Sequence, residues 1–425
     1  MTQDFKKIVL DNGLRILLVP QPRSLATTVL VLTETGSLYE SKEISGISHF
    51  LEHLCFKGTK NRPHSIDISS ELDGLGSEYN AFTGYEGTGY FAKSQNKNLY
   101  KILDLISDLY LNPVFDSQEI QKERGVIIEE INMYRDLPNR RVQEIFLRLL
   151  YGDQPAGWPI AGTRTIIKKL QREEILDYRN RHYLSNSTVI VVAGVFEEEK
   201  LVEEIKKVFQ GIKAGQKLSI PITQESQEKP AIILKSKGTD QSHLVLGVRA
   251  FDFFDNRRYP LEILAHLLGG SMSSRLFQKV REVLGAAYYV YSSADLFSRH
   301  GYLAVNAGVD NLKIETVISA ILEEFSDLKN KEVPAAELQK AKDHMIGKLF
   351  LSLESSDEWA GFYGGQEIIE RNLKTPEEMV QNIQAVSAEE IKAVARDIFQ
   401  DQKLNLALIG PFEEPARFEK ILFLK

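Results

Sequence analysis

Two distant segments of this sequence share one pattern at matched positions, and this repetition favours folds built from two similar halves. Residues 173–198 and 389–414 each contain Glu-Glu-Ile, then a helical stretch, then an apolar strand that ends in glycine, and then Phe-Glu-Glu. A second match, at nearly the same offset, joins residues 119–122 to residues 337–340. Two matches at nearly one offset predict two homologous halves.

The segment between the two halves has the composition of a linker. Residues 213–230, KAGQKLSIPITQESQEKP, are polar, contain two prolines and lack helical periodicity. We therefore predict a first domain at residues 1–212 and a second domain at residues 231–425.

Each half mixes strands with helices. The segment KIVLDNGLRILLVP contains the turn signal Asp11-Asn12-Gly13 between two apolar runs, which predicts a β-hairpin. Long helical patterns follow at residues 99–111 and 117–135. Hairpins beside blocks of helix predict an α+β fold of two α/β sandwich domains with mainly antiparallel sheets, and not a doubly wound parallel sheet.

Charge and composition exclude several classes of partner. The net charge is -7, and basic residues are scattered along the sequence, which argues against nucleic acid or an anionic membrane as the main partner. The N-terminus lacks a signal-peptide pattern, and the longest apolar runs have the length of strands, so we expect no membrane span. Cys55 is the one cysteine, so there is no intramolecular disulfide. We expect a cytoplasmic protein.

The segment GISHFLEHLCFKGT contains an H-x-x-E-H motif formed by His49, Glu52 and His53. Positions i and i+4 of a helix face the same way, so both histidines can offer nitrogen ligands to one ion. Imidazoles at this spacing with an open coordination position are typical of catalytic zinc, and the motif is the inverzincin signature. Glu52 is placed to take a proton from the attacking water and pass it to the leaving amine.

Two histidines alone do not hold zinc, so a third ligand is needed. In EIQKERGVIIEEINMYR, Glu123 and Glu130 stand two helical turns apart on one face. Glu129 points about 100° away from that face and is better explained as a solvated charge. The apolar residues around Glu130 imply partial burial, and a buried carboxylate needs a cation or hydrogen-bond donors. We predict zinc bound by Glu130, with Glu123 supporting a histidine ligand.

These residues resemble the pitrilysin family of zinc peptidases, and in particular its short-chain branch, which includes the β subunit of the mitochondrial processing peptidase. The shared pattern is H-x-x-E-H followed, at a set distance from the second histidine, by a glutamate, which is Glu130 here. The resemblance implies Glu52 as general base and His49, His53 and Glu130 as ligands of one Zn²⁺ per chain. It also implies two similar domains that form half of a clam-shell chamber.

The resemblance extends to residues that would bind substrate. GSEYNAFTGYEGTGYF resembles the family's N-A-x-T edge strand, which pairs with the substrate backbone, and this implies roles for Asn80 and Ala81.

In the second half, VREVLGAAYYVY resembles the family's R-x6-Y pair. The pair implies that Arg281 anchors the substrate and that Tyr288 donates a hydrogen bond to the oxyanion. Tyr289 and Tyr291 are close rivals for the second role.

The second half lacks its own metal motif. The repeat places Ala265 opposite His49, and a shift of one position recovers only His266. Lys348 stands opposite Glu130, so we expect one metal site per chain and a packing role for His266.

The predicted function is a zinc endopeptidase that acts on short or unfolded peptides inside a closed chamber formed by a homodimer. Two alternatives stay open: a catalytic subunit that needs a non-catalytic homologue as partner, and a non-catalytic subunit.

Overall fold

A computed structural model of the chain describes residues 5–424, which divide into two compact units. The first unit contains the residues up to Ile131 together with Pro159–Pro221 and Phe350–Thr375. The second contains Asn132–Trp158, Ile222–Leu349 and the residues from Pro376 onward. Neither unit is continuous in sequence.

The first unit is built on a six-stranded sheet with the order β1-β2-β6-β3-β5-β4. The β2–β6 pair is parallel and the other pairs are antiparallel. The predicted hairpin is confirmed as β1 and β2, with Gly13 in the turn at a φ of 86°. The strands are β1 Lys6–Val9, β2 Arg15–Pro20, β3 Ala26–Thr33, β4 Glu78–Thr83, β5 Thr88–Gln95 and β6 Thr188–Gly194.

Helices pack on the first sheet and bury its apolar side chains, among them Val29, Val31 and Ile190. The helical pattern predicted at residues 99–111 is confirmed as one helix over that range, and the pattern at 117–135 is confirmed with one more residue. The helices of this unit are α1 Ile47–Cys55, α2 Ser65–Gly74, α3 Leu99–Leu111, α4 Ser117–Asp136, α6 Arg164–Ile167, α7 Arg172–His182, α8 Glu198–Val208 and α12 Ser356–Ile369. The end of α4 belongs to the second unit.

The second unit is built on a five-stranded sheet with the order β7-β11-β8-β10-β9. Its β7–β11 pair is parallel and the other pairs are antiparallel. The strands are β7 Ala231–Ser236, β8 Gln241–Ala250, β9 Ala287–Leu296, β10 Gly301–Asp310 and β11 Leu404–Gly410. The α-helices are α5 Pro138–Tyr151, α9 Arg258–Gly269, α10 Ile314–Asn330, α11 Ala335–Leu351, α13 Pro376–Ala385, α14 Ala388–Ile398 and α15 Ala416–Glu419, and a π-helix spans Phe277–Val283.

The two sheets repeat one topology. The order β7-β11-β8-β10-β9 reproduces β2-β6-β3-β5-β4 strand for strand, with β1 as an addition to the first sheet. Helices α7 and α14, and likewise strands β6 and β11, begin and end at positions related by the offset of the sequence repeat. The predicted fold class, two similar α+β domains with mainly antiparallel sheets, is confirmed.

One helix from each half of the sequence packs in the unit formed mainly by the other half. Helix α12 covers the face of the first sheet opposite the main core, where Ala360 and Tyr363 join Leu30 and Val191 in a small core. The fit is close: a Cβ on Gly364 would lie 2.6 Å from Leu32 Cδ1. In the same way α5 packs on β8 and β11 of the second sheet.

The two compact units are defined by which residues pack together, whereas the predicted domains, residues 1–212 and 231–425, are defined by the sequence repeat. The division into these two domains stays a prediction. Within residues 5–424, no helix combines the length and the apolar character needed to cross a bilayer.

Candidate metal centre

Helix α1 carries the H-x-x-E-H motif on its more accessible side. Phe50, Leu51 and Leu54 are buried in the core of the first unit, whereas His49 and His53 are only partly buried. This division follows from helical periodicity, because residues three or four apart share a face. The histidines therefore point away from the core while the apolar side chains anchor the helix.

The start of α1 is held by a buried carboxylate. Gly46 precedes the helix with a φ of 96°, a left-handed conformation that favours glycine. Glu40 accepts hydrogen bonds from the backbone N–H groups of Gly46, at 2.7 Å, and Ser48, at 2.9 Å. Burial raises the pKa of Glu40 to about 8, against the lowering effect of these two donors. Sequence reasoning missed Glu40, because a glutamate outside the helix carries no signal for such a contact.

The structure brings His49, His53 and Glu130 together. Their ligand atoms lie within 4.8 Å of one another, and this is the only such group of three or more metal-binding side chains among the described residues. Oε2 of Glu130 lies 3.7 Å from Nε2 of His49 and 3.6 Å from Nε2 of His53. Tetrahedral ligands at zinc bond lengths of about 2.0–2.2 Å are separated by about 3.4 Å. The donor set therefore fits zinc in both chemistry and spacing.

The two histidines differ in their affinity for protons. Burial and the neighbouring His53 lower the pKa of His49 to about 4, against the effect of Glu130, so its ring is neutral at pH 7. Burial also lowers the pKa of His53, but the hydrogen bond to Glu123 and the charges of nearby carboxylates outweigh it and raise the pKa. Only a neutral imidazole binds a metal, so His53 is the ligand that competes with protons.

Glu123 links His53 to a lysine. Its Oε1 lies 2.8 Å from Nδ1 of His53, and its Oε2 lies 2.7 Å from Nζ of Lys57. The carboxylate is 4% exposed; burial acts to raise its pKa, but these two partners outweigh burial and lower it. An ionised Glu123 keeps a proton on Nδ1 of His53, so that Nε2, the nitrogen that faces Glu130, is left unprotonated and free to bind a metal. Lys57 was not anticipated, because its contact with Glu123 joins distant parts of the sequence and has no periodic signal.

Glu52 lies beside the metal-binding group with an unsatisfied oxygen. Its Oε2 is buried and accepts no hydrogen bond from the residues that the structure describes. Burial raises the pKa of Glu52, and the charge of Glu130 adds to the rise, while Thr83 and His53 oppose it. Glu129, one residue before Glu130, is exposed and outside the group, as helix geometry predicts.

Asn80 and Ala81 lie on β4, the edge strand of the first sheet. Asn80 is exposed, Ala81 is 8% exposed, and β4 packs beside α1. The predicted edge strand is therefore present next to the motif helix. Its role in binding a substrate backbone stays a prediction.

Arg281 and Tyr288 belong to the second unit and are not members of the metal-binding group. Arg281 is exposed, with its guanidinium 4.9 Å from the ring centroid of Phe277. Tyr288 is 70% exposed at the start of β9. The rival tyrosines have engaged hydroxyls: Tyr289 contacts His243 Nδ1 at 2.9 Å, and Tyr291 accepts a hydrogen bond from Gln143 at 3.0 Å.

Comparison with known proteins gives one family over most of the chain. The family described as "Insulinase (Peptidase family M16)" matches residues 15–164, and "Peptidase M16 inactive domain" matches residues 169–345. The "uncharacterized zinc protease YmxG" of Bacillus subtilis is 34% identical over 410 residues, which cover 96% of this chain and 98% of the relative. An uncharacterized zinc protease of Mycobacterium leprae is 32% identical over 409 residues, with 96% and 92% covered.

Solved structures agree with this relationship. A protease from Helicobacter pylori superposes with a TM-score of 0.89 at 26% identity, over 96% of this chain and 99% of that one. A "peptidase M16 inactive domain" from Pseudomonas fluorescens has the same TM-score at 18% identity, over 97% and 99%, and shows the shared fold alone.

Proposed function

The chain belongs to peptidase family M16, and from this premise we propose that it is a zinc-dependent endopeptidase for short or unfolded peptides. The observation that carries the proposal is the convergence of His49, His53 and Glu130 within 4.8 Å, beside Glu52. Relatives that match 96% of this chain are named zinc proteases, which supports the same activity.

His49, His53 and Glu130 would hold the metal, with Glu123 fixing the orientation of His53. When bound, zinc polarises the scissile carbonyl and lowers the pKa of a water molecule to about 7. Two imidazoles and a carboxylate suit zinc, and the same donors also accept cobalt or manganese.

Glu52 is the general base of the proposed reaction. It removes a proton from the water that attacks the scissile carbonyl and later gives that proton to the leaving amine. Its raised pKa suits both steps, because a base whose pKa lies closer to the working pH exchanges protons in both directions.

Three further regions would handle the peptide. The edge strand β4, through Asn80 and Ala81, would pair with the substrate backbone, which gives affinity with little dependence on sequence. Arg281 would anchor the substrate, and the exposed Tyr288 hydroxyl would donate a hydrogen bond to the oxyanion.

The proposed active form is a homodimer that encloses a chamber. Arg281 and Tyr288 are in the same chain as the metal ligands, so no different partner is needed to supply them. The measured mass and activity of the purified chain test this form. A chain that is inactive until a non-catalytic homologue is added would favour the heterodimeric alternative.

The proposed chemistry is tested with a quenched fluorescent peptide. Zinc-loaded protein should cleave it, a chelator should abolish cleavage, and added zinc should restore it. Glu52→Gln should lower kcat about 10²- to 10⁴-fold while zinc binding persists. Glu129→Gln is the matched control, because it removes an exposed glutamate outside the group, and it should keep full activity. Full activity of the Glu52→Gln protein would refute the mechanism.

A further inference from the structure

A cavity of about 260 Å³ opens in the second unit, beside the end of strand β8. Residues 225–227 form one side of it, and Arg249, Ala250 and Phe251, where β8 ends, form another. Pockets for drug-sized ligands measure roughly 300–1,000 Å³, so this cavity suits a ligand near the small end of that range. Five charged side chains line it: Glu225, Arg249, Arg257, Asp397 and Lys403.

Three of these charged side chains pair with one another. Asp397 Oδ2 lies 2.7 Å from Arg257 Nη1, and its Oδ1 lies 3.3 Å from Lys403 Nζ. Asp255 also pairs with Arg257, at 2.7 Å, so two carboxylates balance these two cations. Among the described residues, neither Arg249 nor Glu225 has an opposite charge within ion-pair distance. The cavity therefore presents one unpaired cation and one unpaired carboxylate.

Arg249 is held at the cavity by neutral groups. Its Nη1 donates a hydrogen bond to the side-chain oxygen of Gln227, which also accepts one from Asn405 at 3.0 Å. The guanidinium lies 5.9 Å from the ring centroid of Tyr151. Its Nη2 has no acceptor among the described residues and is not enclosed by the protein. This side of the guanidinium is therefore available to a carboxylate, which is the partner that its planar geometry matches.

The segment that carries Glu225 belongs to the predicted linker, but it is fixed on the second unit. The side-chain amide of Gln154 accepts a hydrogen bond from the backbone N–H of Gln224, at 2.9 Å, and donates one to its carbonyl, at 2.8 Å. On the other side of Glu225, the Gln227 amide donates to the carbonyl of Leu404, at 3.1 Å. The backbone at Glu225 is therefore placed before a ligand binds, which lowers the entropy cost of binding.

Apolar surface continues from the charged cavity. A second cavity, of about 580 Å³, shares Glu225, Ala250 and Phe251 with the first. Phe254 also lines it, with 55% of its surface exposed. An apolar side chain of a ligand can lie against these aromatic rings while the charged groups of the ligand meet Glu225 and Arg249.

We propose that this cavity binds a short zwitterionic peptide, with its terminal carboxylate on Arg249 and its terminal ammonium on Glu225. One unpaired charge of each sign in a shared cavity matches a ligand that carries one of each. A simple anion would leave Glu225 unpaired, and a simple cation would leave Arg249 unpaired. The proposed function would release peptides with two free termini, and the proposal rests on that function only for this source of ligand.

Binding is measured by calorimetry on zinc-loaded full chain that carries Glu52→Gln, so that no ligand is cleaved. The probe is the dipeptide alanyl-leucine, compared with its N-acetyl form and its C-terminal amide. The free dipeptide should bind about tenfold more tightly than either blocked form, because each block leaves one charge of the cavity without its partner. Equal binding of the three ligands, or no binding of the free dipeptide, would overturn the proposal.

Two substitutions assign each terminus to its residue. Glu225→Gln should remove the preference for a free ammonium and keep the preference for a free carboxylate. Arg249→Gln should do the reverse, and Arg249→Lys, which keeps the charge but not the planar fork, should lie between Arg249→Gln and the unaltered residue. The matched controls are Glu228→Gln and Arg140→Gln, which remove exposed charges that line neither cavity and should keep both preferences.

Thermal unfolding shows whether each variant is folded. If Arg249→Gln is not folded, Arg249→Lys and the exposed Glu225→Gln still decide the outcome. Equal losses of both preferences in Glu225→Gln and in its control Glu228→Gln would contradict the assignment. Dipeptide binding that disappears when zinc is removed by a chelator would place the ligand on the metal and would also refute the site.

The same chain without Glu52→Gln separates this proposal from the proposed function. If it cleaves the quenched peptide but the dipeptide shows no preference for free termini, the zwitterion site is wrong and the peptidase stands. If it cleaves nothing while dipeptide binding depends on Glu225 and Arg249, the peptidase is wrong and the site stands.

Discussion

Removing the Glu123 carboxylate tests how the metal ligands are held in place. The group is 4% exposed and bridges His53 Nδ1, at 2.8 Å, and Lys57 Nζ, at 2.7 Å. Loss of a group that orients a metal-binding histidine typically weakens metal binding about 10- to 100-fold, or about 1.4–2.7 kcal/mol. Glu123→Ala leaves the His53 N–H and the Lys57 ammonium without their shared acceptor, so we expect about 100-fold weaker zinc binding.

Two milder changes should rank below Glu123→Ala. Glu123→Gln keeps an oxygen that can accept a hydrogen bond from His53 and loses only the charge, so we expect about tenfold weaker zinc binding. Lys57→Met removes the cation but leaves the contact between Glu123 and His53. Because the lysine side chain is 30% exposed, we expect only about two- to fivefold weaker zinc binding. Lys57→Arg should bind zinc like the unaltered chain.

Competition with a chromophoric zinc chelator at a pH of about 7.5 gives the affinities, because the histidine ligands must be neutral to bind. Thermal unfolding of the zinc-free proteins shows whether each variant is folded. Wild-type affinity in folded Glu123→Ala would refute the argument that Glu123 orients His53. A loss in Lys57→Met as large as that in Glu123→Ala would show that the lysine acts by a route other than Glu123.

Three further predictions concern pH and packing. Because the pKa of His53 is raised and zinc needs its neutral form, zinc affinity should fall about tenfold per pH unit below that pKa, with proton release measurable by calorimetry in two buffers. Folding raises the pKa of Glu40 from its ordinary value of 4.5 to about 8, so the free energy of unfolding should fall as pH rises between these values. Urea titrations should show a slope of up to about 1.4 kcal/mol per pH unit relative to Glu40→Gln, and equal slopes would contradict the assignment. Gly364→Ala should lower the free energy of unfolding by about 1–3 kcal/mol, because the new Cβ would clash with Leu32. Gly365→Ala, which has open space at its Cβ, should raise it by up to about 1 kcal/mol. Equal effects of the two variants in denaturant unfolding would refute the close-packing argument.

The sequence predicts most of the fold because the fold is repeated. Strands β6 and β11 are related by the same offset as the sequence pattern, and the order of strands in the two sheets agrees. The exchange of α5 and α12 could not be predicted. Amphipathic periodicity shows that a helix has an apolar face, but it does not say which of two similar sheets that face will cover.

In the metal site too, contacts within one helix could be predicted from spacing, whereas contacts between distant segments could not. His49 and His53 share a face because they are one helical turn apart, and Glu123 and Glu130 share one because they are two turns apart, so spacing alone pairs them. Joining the two pairs rested on the need for a third zinc ligand and for a partner to a partly buried carboxylate, and the family pattern then supported it, since no local rule relates α1 to α4. Lys57 contacts Glu123 through packing that only the structure reveals.

The second unit shows what the repeat has lost at the corresponding position. The ring centroids of His266 on α9 and His344 on α11 lie 4.9 Å apart. Burial, His344 and Lys348 lower the pKa of His266 to about 4. Lys348 occupies the sequence position that corresponds to Glu130, and its positive charge repels a divalent cation where a carboxylate would bind one. The second half therefore lacks the H-x-x-E-H residues as well as the ligand carboxylate, whereas the surrounding fold, which depends on apolar burial, is preserved.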